Sequence, residues 1–448
     1  MTAYADKRDR LAASLAAAHR DSAGAFGLAK ATSNLFRDRA ARKRPRVDLS
    51  GFNSVLGVDP AGHSVDAEGM TTFVDLADAT LAHDAMPAVV PQLKSITVGG
   101  AVAGVGIEAS SFRHGLVHET IVAMDVLTGN GEIVTCTPHN EHRDLYFGLP
   151  NSYGTLGYAL RLTARTLPVK RYVAVEHRPF RDAASFFAAL GETLHDPSID
   201  FLDGVAFGRD SLVLSPARFT DEAPYTSDYT FDRIYYRSLR ERASDFLTTR
   251  DYLWRWDTDW FWCSKNLGAQ NPLLRRIYGR SRLNSVFYQK VMRWNTRWKV
   301  GAAVERARGL HAESVIQDVD VPLARAGEFL AFLHDEVGVL PIWICPIRAP
   351  HPDDIYPLYP LAPGTAYVNF GFWDRVTFRE SHPPGFVNRK IEQRVTAMRG
   401  LKSLYSDSYF SEGEFWSIYN RPAYEALKAK YDAARTLPDL YAKCVLRQ

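Results

Sequence analysis

The segment SITVGGAVAGVGIEASSFRHG, residues 95–115, carries four glycines between Gly99 and Gly106. These glycines stand among small and β-branched residues, and no charged side chain precedes Glu108 in the segment. Glycine weakens regular structure, so such a cluster indicates a backbone that turns, or is approached closely, where a Cβ atom would interfere. Two interpretations follow. Either a phosphate-bearing cofactor lies against this main chain, or a glycine-rich strand or turn packs tightly against a helix.

The glycine segment matches neither of two common phosphate-binding fingerprints. VGGAVAGVG lacks the G-x-G-x-x-G pattern of dinucleotide-binding βαβ units, and it lacks the G-K-[ST] ending of a P-loop. The choice between the two interpretations therefore depends on the rest of the chain.

Length and composition describe a globular protein of more than one domain. The chain has 448 residues, 46% hydrophobic and 23% charged, with a net charge of +3 that requires no nucleic-acid partner. The four cysteines are far apart, so we expect no metal site and no disulfides, and a reducing, cytoplasmic location. The charged N-terminus predicts an amphipathic helix rather than a signal peptide, and no apolar run is long enough to span a membrane.

Local patterns predict an α+β chain with a boundary near residue 170. In the first part, we expect a strand at residues 63–70 and a helix at 72–86. We also expect a hairpin around Gly129–Gly131 at 122–138, and a strand after a glycine turn at 153–169. In the second part, helices are expected at 182–196 and 323–338, and strands at 201–208, 314–323, 340–348 and 365–373. A stretch at 217–300 is rich in Tyr, Trp and Arg and is interpreted as an insertion.

The order of segments around the glycines resembles the PCMH-type FAD-binding domain of the vanillyl-alcohol oxidase/p-cresol methylhydroxylase superfamily. The matching segments are Pro91 with Ser95–Gly100, Gly131–Val134 and Gly154–Gly157. The resemblance implies a two-domain α+β flavoprotein. Residues 1–170 would form the FAD-binding domain, and residues 171–448 an antiparallel-sheet substrate (cap) domain whose C-terminal segment returns toward the flavin.

The same resemblance implies which residues hold FAD. The glycine backbone would approach the pyrophosphate and isoalloxazine, with N–H groups as phosphate donors. The loop from Lys30 to Phe36 lacks the histidine that some relatives carry, so non-covalent FAD is expected; a covalent bond to His114 is the alternative. The expected cofactor residues are Lys30, Thr32, Ser33, Asn34, Leu35, Pro91, Ser95, Ile96, Thr97, Val98, Gly99, Gly100, Gly104, Gly106, Ile107, Glu108, Ser110, Ser111, His114, Gly115, Ile133, Gly154 and Gly157.

Later segments resemble a particular branch of that superfamily. DYLWRWDTDWFW, VIQDVDVP, PIWICP, LYSDSYFSEGEFW and LYAK are similar to the Δ24-sterol reductase (Diminuto) type. LAKATSNLF, YYRS, YLWRWDTDWFWCS and DLYAK are more similar still to actinobacterial flavoproteins that reduce a methylene-bearing fatty acyl chain to the 10-methyl (tuberculostearic-type) chain. That resemblance implies NADPH as reductant and a partner methyltransferase that supplies the methylene lipid.

Reduction of an isolated C=C bond sets chemical requirements on the site. No neighbouring carbonyl stabilises negative charge, so a proton must arrive before or with the hydride that a flavin supplies. The site needs a neutral acid and aromatic faces that tolerate positive charge. The candidate residues are Asp257 and Asp259 among the tryptophans, Gln317 and Asp318 on a predicted strand, Tyr405 and Asp407, and Lys443, which would stabilise anionic reduced flavin.

Each of these candidates also has a purely structural interpretation. The tryptophan-rich stretch can be packing, with its aspartates paired to Arg255 or capping a helix. Gln317 and Asp318 can be ordinary polar residues of an edge strand, and Lys443 can lie on a solvated helix face. Trp343 and Cys345 are expected in the core.

A basic stretch at residues 271–300 holds eight Lys or Arg and no acidic residue. Its basic side chains alternate with aromatic and aliphatic ones: Leu283, Phe287, Tyr288, Val291, Trp294 and Trp298. This pattern indicates a surface for anionic lipid headgroups on the inner face of a membrane. The alternatives are an RNA patch, a site for the NADPH phosphates, or a solvated face.

The sequence thus favours an FAD-dependent, NAD(P)H-consuming reductase of an unactivated lipid alkene, with a methylene-branched fatty acyl substrate first. Three alternatives remain: a Δ24-sterol side-chain reductase, an FAD oxidase or dehydrogenase of a small hydroxy substrate, and a non-catalytic lipid-binding flavoprotein. The second alternative predicts a site lined by arginine and histidine, and the third predicts a flavin that NADPH does not reduce.

Overall fold

The structure is a computed structural model. It describes residues 2–21, 27–29, 36–37, 46–298 and 309–448, without the side chains of residues 2, 16–21 and 292–298. The strands are β1 Gly27–Ala29, β2 Arg46–Asp48, β3 Val55–Asp59, β4 Ser64–Glu68, β5 Ala85–Pro87, β6 Ile121–Thr128, β7 Ile133–Cys136, β8 Gly157–Pro168, β9 Tyr172–Glu176, β10 Arg178–Phe180, β11 Phe201–Gly208, β12 Ser211–Thr220, β13 Ser244–Thr248, β14 His311–Pro322, β15 Ile342–Ile347, β16 Tyr367–Phe378 and β17 Leu401–Lys402.

Helices surround these strands. They are α1 Thr2–Asp21, α2 Phe73–Leu81, α3 Val98–Ala103, α4 Ser111–His114, α5 Arg143–Gly148, α6 Ala183–Thr193, α7 Tyr235–Ser238, α8 Thr249–Leu253, α9 Pro272–Tyr278, α10 Ser285–Trp298, α11 Ala326–Phe332, α12 Phe386–Ala397, α13 Glu412–Ile418, α14 Arg421–Tyr431 and α15 Leu440–Cys444. In the described part of the chain, no helix is both long and apolar enough to cross a membrane.

The first sheet has six strands within the described residues, in the order β3-β4-β8-β6-β7, with β5 also paired to β8. The predicted hairpin is present: β6 and β7 pair antiparallel, and Gly131 in the connecting turn has a φ of 84°, which favours glycine. The strand and helix expected before it are β4 and α2, where the Thr72 side chain caps the helix by accepting from the Asp75 N–H.

The second sheet has nine strands within the described residues, in the order β13-β9-β12-β11-β15-β16-β14-β17, with β10 paired to β12. All its pairings are antiparallel. The helices predicted in this half form as α6 and α11. The proposed domain boundary at residue 170 falls between β8 of the first sheet and β9 of the second. The two-domain α+β fold predicted from the sequence is confirmed.

The stretch at 217–300, interpreted from the sequence as an insertion, contributes to the second sheet and to the core where it is described. It supplies β13, an edge strand of the second sheet, and its Trp254, Trp256, Trp260 and Trp262 side chains are buried in the largest apolar core of the described structure. That core also contains first-domain residues such as Val98 and Val126, so the aromatic stretch joins the two domains.

The C-terminal segment contacts the first domain. The Lys428 ammonium donates to the Thr155 carbonyl at 3.0 Å, and the Lys443 ammonium donates to the Tyr153 carbonyl at 2.6 Å. The residue at the end of α15, Cys444, is therefore held close to the turn that precedes β8.

Candidate active site

A cavity of about 470 Å³ lies between the two domains. Its first-domain wall includes many of the residues expected to bind cofactor. Those that line the cavity are Pro91, Ile96, Thr97, Gly99, Gly100, Gly104, Gly106, Ile107, Gly154 and Gly157.

The other expected cofactor residues lie elsewhere. Lys30, Thr32, Ser33, Asn34 and Leu35 are outside the described residues. Those that are described but do not line the cavity are Ser95, Val98, Glu108, Ser110, Ser111, His114, Gly115 and Ile133.

Most of these residues have structural roles instead. Val98 is in the core, the Ser110 hydroxyl donates to the Ala88 carbonyl at 2.8 Å, and the Ser111 hydroxyl accepts from the Glu108 N–H at 3.1 Å. Burial lowers the pKa of His114 to about 4, so its imidazole is neutral at pH 7. Because His114 does not line the cavity, its position gives no support to a covalent bond to flavin.

The glycine segment forms a short helix, α3, rather than the strand or turn of the packing interpretation. Thr97 begins it, and its hydroxyl accepts from the Gly100 N–H at 3.3 Å. The Gly99 N–H donates to the Gly69 carbonyl at 2.9 Å, and the Gly106 N–H donates to the Ala101 carbonyl at 2.9 Å. These three N–H groups are used within the protein, so in this arrangement they are not available to a phosphate.

The glycines are required by close packing of the protein itself. A Cβ atom at Gly99 would lie 2.8 Å from the Gly69 carbonyl oxygen, and one at Gly106 would lie 2.7 Å from a Val117 methyl. Both distances are shorter than any normal contact. The absence of a side chain at Gly99 lets the α3 backbone pack directly against Gly69. The cavity lies next to this closely packed backbone.

Arg37, which the sequence reasoning missed, supplies the charge that an anionic cofactor requires. Its side chain is buried and lines the cavity, with the guanidinium 4.9 Å from the Tyr153 ring centroid. One nitrogen donates to the Leu404 carbonyl and to the Cys444 sulfur, but Nε and Nη2 have no hydrogen-bond partner among the described residues. An unpaired buried guanidinium is costly, so an anion is expected against it.

The residues present therefore fit FAD. Arg37 and Lys443, which also lines the cavity, would hold negative charge, whereas the glycine wall and the aromatic side chains would hold the planar ring.

Aromatic side chains of the second domain form the opposite wall. They are Trp260, Phe261, Trp343 and Trp373, and the Phe261 and Trp373 ring centroids are 4.2 Å apart. Trp260 and Phe261 have φ angles of 44° and 59°, in the left-handed region that bulky residues rarely adopt. This conformation raises the conformational energy of the backbone, and it directs two consecutive aromatic rings toward the cavity.

One carboxyl group beside the aromatic wall, that of Asp318, is partly buried and belongs to a chain of hydrogen bonds. The Trp373 indole N–H donates to the Tyr405 hydroxyl at 3.0 Å, and that hydroxyl hydrogen-bonds to Asp318. Burial, with a smaller contribution from the charge of Asp320, raises the pKa of Asp318 to about 7 against the opposing effect of the Tyr405 hydrogen bond. The second oxygen, Oδ1, is buried and has no hydrogen-bond partner in the part of the chain that the structure describes.

The strand pairing makes room for this carboxyl. Asp318 of β14 stands directly opposite Gly371 of β16. A Cβ atom at Gly371 would lie 2.6 Å from Asp318 Oδ1 and 2.7 Å from the Trp373 ring. Glycine at this position therefore leaves the space that the carboxyl and the indole occupy.

Asp320, two residues further along β14, also lines the cavity and was not predicted from the sequence. It accepts from the Tyr359 hydroxyl at 2.6 Å and from the Asn369 amide at 2.7 Å. Burial raises the pKa of Asp320 to about 6. The alternation of a strand explains why Asp318 and Asp320 share the cavity face while Gln317 does not: the Gln317 amide donates to Asn388 at 2.6 Å on the other face.

The two aspartates of the tryptophan-rich stretch do not reach the cavity. Asp257 accepts from the Lys94 N–H at 3.1 Å and the Ser285 hydroxyl at 2.6 Å. Asp259 forms a two-pronged ion pair with Arg275, at 2.7 and 3.0 Å. Both aspartates have structural roles, as in the packing interpretation of this stretch. The cation that pairs with Asp259, however, is Arg275 and not Arg255.

Arg255 instead forms ion pairs with a residue of each domain, next to the aromatic wall. It lies 3.0 Å from Glu108 of the first domain and 2.9 Å from Asp203 of the second. Asp203 also accepts from the Trp343 indole N–H at 3.1 Å, which fixes a ring that lines the cavity. Asp407 lies outside the cavity and pairs with Arg447 at 3.3 Å.

Comparison with known proteins agrees with this geometry. A family model described as an FAD binding domain matches residues 1–137. Human Δ24-sterol reductase is 26% identical over 403 residues, covering 87% of this chain and 75% of the relative. The Δ24-sterol reductase of Arabidopsis thaliana is 27% identical over 438 residues, covering 89% and 76%. Cytokinin dehydrogenase 6 of Oryza sativa subsp. japonica is 28% identical over 198 residues, covering 43% and 36%.

The match at residues 1–137 and the sheets described above agree on the architecture. The chain has a two-domain α+β fold with an FAD binding domain match in its first part, and its similarity to Δ24-sterol reductases supports an FAD-dependent oxidoreductase of the Δ24-sterol reductase-like branch.

Proposed function

We propose that this protein reduces an unactivated C=C bond of a lipid, and that Asp318 supplies the proton. The observation that carries the proposal is a carboxyl with a pKa raised to about 7, hydrogen-bonded to Tyr405, in a cavity whose wall is aromatic. FAD, when bound, supplies hydride. NADPH is the proposed source of that hydride.

The protein's own groups are arranged for proton delivery to an alkene. Neutral Asp318 carries the proton, and the Tyr405 hydroxyl holds the carboxyl in place while Trp373 orients the hydroxyl. Protonation of an alkene carbon generates positive charge at its neighbour. The faces of Trp260, Phe261 and Trp373 attract such charge by cation–π interaction, and they exclude water that would trap it.

The proposed substrate is a methylene-branched fatty acyl chain, reduced from the 10-methylene to the 10-methyl form and supplied by a partner methyltransferase at the inner face of a membrane. The second candidate is a Δ24-sterol side chain, which the similarity to Δ24-sterol reductases favours. Both substrates present the same chemistry: an apolar alkene without an activating carbonyl.

The cavity gives less support to oxidation of a small hydroxy acid. Such a substrate carries a carboxylate and needs a base, and histidine with arginine is the expected lining. Arg37 and Arg46 line the cavity, but no histidine is among its described lining residues, and Asp318 and Asp320 have raised pKa values that suit an acid rather than a base.

A reduction and reoxidation experiment tests the proposal. The purified holoenzyme is reduced with NADPH without oxygen, then mixed with phospholipid bearing a 10-methylene acyl chain, with a Δ24 sterol, or with the saturated chain as matched control. Reoxidation of the flavin by the methylene lipid only, with a methyl-branched product in the mass spectrum, is expected.

Three other results separate the alternatives. Reoxidation by the sterol only would assign the second candidate. A flavin that NADPH does not reduce would favour the lipid-binding flavoprotein. Reduction of the oxidised flavin by a small hydroxy acid, with no reoxidation by either lipid, would overturn the proposal.

A further inference from the structure

Helix α9 exposes an apolar face that nothing in the described structure covers. Leu273, Leu274 and Ile277 are 69%, 42% and 67% exposed. Positions 273, 274 and 277 lie on one side of a helix, so these three side chains form one patch. Exposed apolar residues that are clustered, rather than scattered singly, mark a surface that contacts something.

Basic side chains surround this apolar patch. Arg276, Arg280, Arg282 and Lys290 are exposed, and residues 271–290 contain no acidic residue. Arg280 lies 3.3 Å from Asp228 in an exposed ion pair, which is weak. Arg276 and Arg282 have no ion pair with any described residue and remain available to phosphate groups.

The structure holds α9 with this face outward. Arg275, on the opposite side of the helix, is buried and paired with Asp259, and the Asn271 side chain caps the helix by accepting from the Leu273 and Leu274 N–H groups. The helix therefore cannot rotate its leucines inward without breaking a buried ion pair. The next residue after Asp259 is Trp260, so the anchor of α9 adjoins the wall of the cavity.

We infer that α9 is a membrane-docking element. It inserts Leu273, Leu274 and Ile277 into an anionic lipid surface while Arg276, Arg280 and Arg282 contact the headgroups. Aliphatic side chains with a basic rim match the boundary between headgroups and acyl chains better than they match a nucleic-acid duplex, whose outer surface is lined by charged phosphates. The inference rests on the proposed lipid substrate only for the biological reason for docking, because vesicle binding is measured without substrate.

This inference changes the docking surface expected from the basic stretch. Tyr288 and Leu283 are buried and Phe287 is partly buried, so these side chains are not the inserting groups. Trp294 and Trp298 lie outside the described side chains. Arg275 is not a headgroup contact, because it belongs to the buried pair.

Flotation with vesicles of equal parts phosphatidylcholine and phosphatidylglycerol tests the inference on the full chain with FAD. The test variant is Leu273→Ser with Ile277→Ser. The matched control is Ile355→Ser, because Ile355 is 63% exposed but lies far along the chain from α9. The test variant is expected to bind vesicles at least about tenfold more weakly, and the control to bind as the wild type does.

The charge contribution is tested separately. Arg276→Gln with Arg282→Gln is expected to weaken binding to the anionic vesicles by about fivefold per charge, and to change binding to pure phosphatidylcholine little. Thermal melting of each variant checks that the fold is intact.

Several results would overturn the inference. These are a wild-type protein that does not bind the anionic vesicles, a test variant that binds as the wild type does, or gel filtration showing that the α9 face joins two copies of the chain. Failure of the proposed function is a different result. It would be seen as no reduction of detergent-dispersed lipid, whether or not vesicles are bound.

Discussion

Two pairs of aspartates, each separated by one residue, have different partners for the same carboxyl group. Asp257 and Asp259 stand among tryptophans in the sequence, and Asp318 and Asp320 stand on β14. The first pair has cations against it: Lys94 at 3.9 Å from Asp257, and Arg275 at 2.7 Å from Asp259. The second pair has no ion pair with any described residue, and its pKa values are raised to about 7 and about 6.

The difference teaches that a position among tryptophans does not identify the acid of an aromatic cavity. Burial raises the pKa of Asp257 as well, against the opposing charge of Lys94, but neither Asp257 nor Asp259 lines the cavity, so neither can deliver a proton there. A carboxyl held only by hydroxyl and amide groups keeps its proton to higher pH and can donate it. The candidate acid is therefore on β14, and the aspartates of the tryptophan-rich stretch hold the cavity wall in place.

The largest expected effect comes from Asp318→Asn, which removes the proton and keeps the shape. Reduction of the lipid alkene should slow by about 10²- to 10⁴-fold, the usual contribution of a positioned acid. FAD content and the rate of flavin reduction by NADPH should stay near wild type, because neither needs this proton. Stopped-flow absorbance of the flavin separates the two half-reactions.

Asp407→Asn is the matched control for that variant. Asp407 carries the same functional group outside the cavity, so its substitution should leave lipid reduction within about twofold of wild type, as expected of a surface change. Equal losses in both variants would mean that Asp318 acts through the fold rather than through its proton.

Asp259→Asn should act on stability instead. It leaves the Arg275 guanidinium buried without its counter-charge, which costs about 3–5 kcal/mol in the free energy of unfolding. Urea denaturation followed by tryptophan fluorescence measures this loss. The folded fraction should keep its lipid-reduction rate, and a rate loss as large as that of Asp318→Asn would reverse the comparison between the two pairs.

Gly371→Ala tests the space that strand β16 leaves for the acid. The added methyl would lie 2.6 Å from Asp318 Oδ1 and must displace the carboxyl. A displacement of about 1 Å is expected to slow lipid reduction by about 10²-fold. Gly413→Ala is the control, because a Cβ atom there meets nothing within 4 Å. Full activity in Gly371→Ala would show that the carboxyl position is not critical.

The smallest effect is a shift of the pH profile in Asp320→Asn. A general acid works when protonated, so lipid reduction by the wild type should be full below the pKa of Asp318 and fall as pH rises through about 7. The charge of Asp320 helps to raise that pKa, so its removal should move the fall to lower pH. A profile that moves to higher pH, or does not move, would contradict the assigned coupling.

Features set by local sequence were the predictable part of this molecule. The hairpin at Gly131 and helices such as α6 follow from turn chemistry and apolar spacing within a few residues. The helix in the glycine segment was missed because its packing depends on Gly69, about thirty residues earlier in the chain. Propensity alone does not register such a contact.

The site was predicted only in part for a similar reason. Asp318 and Tyr405 were among the candidates, but nothing local distinguished Asp318 from Gln317 or Asp257. The distinction depends on Gly371 and Trp373, which strand pairing brings to Asp318 from more than fifty residues away. Arg37 was missed because it stands in a run of charged residues typical of an exposed segment.

The protonation of Asp318 is the central claim, and infrared spectroscopy tests it most directly. The protonated-carboxyl band of the wild type, minus that of Asp318→Asn, is recorded against pH with FAD bound. The account predicts a difference band that is present at acid pH and titrates away near pH 7. A difference spectrum without that band below pH 7, with both proteins folded, would show that Asp318 is ionised and would contradict its role as the acid.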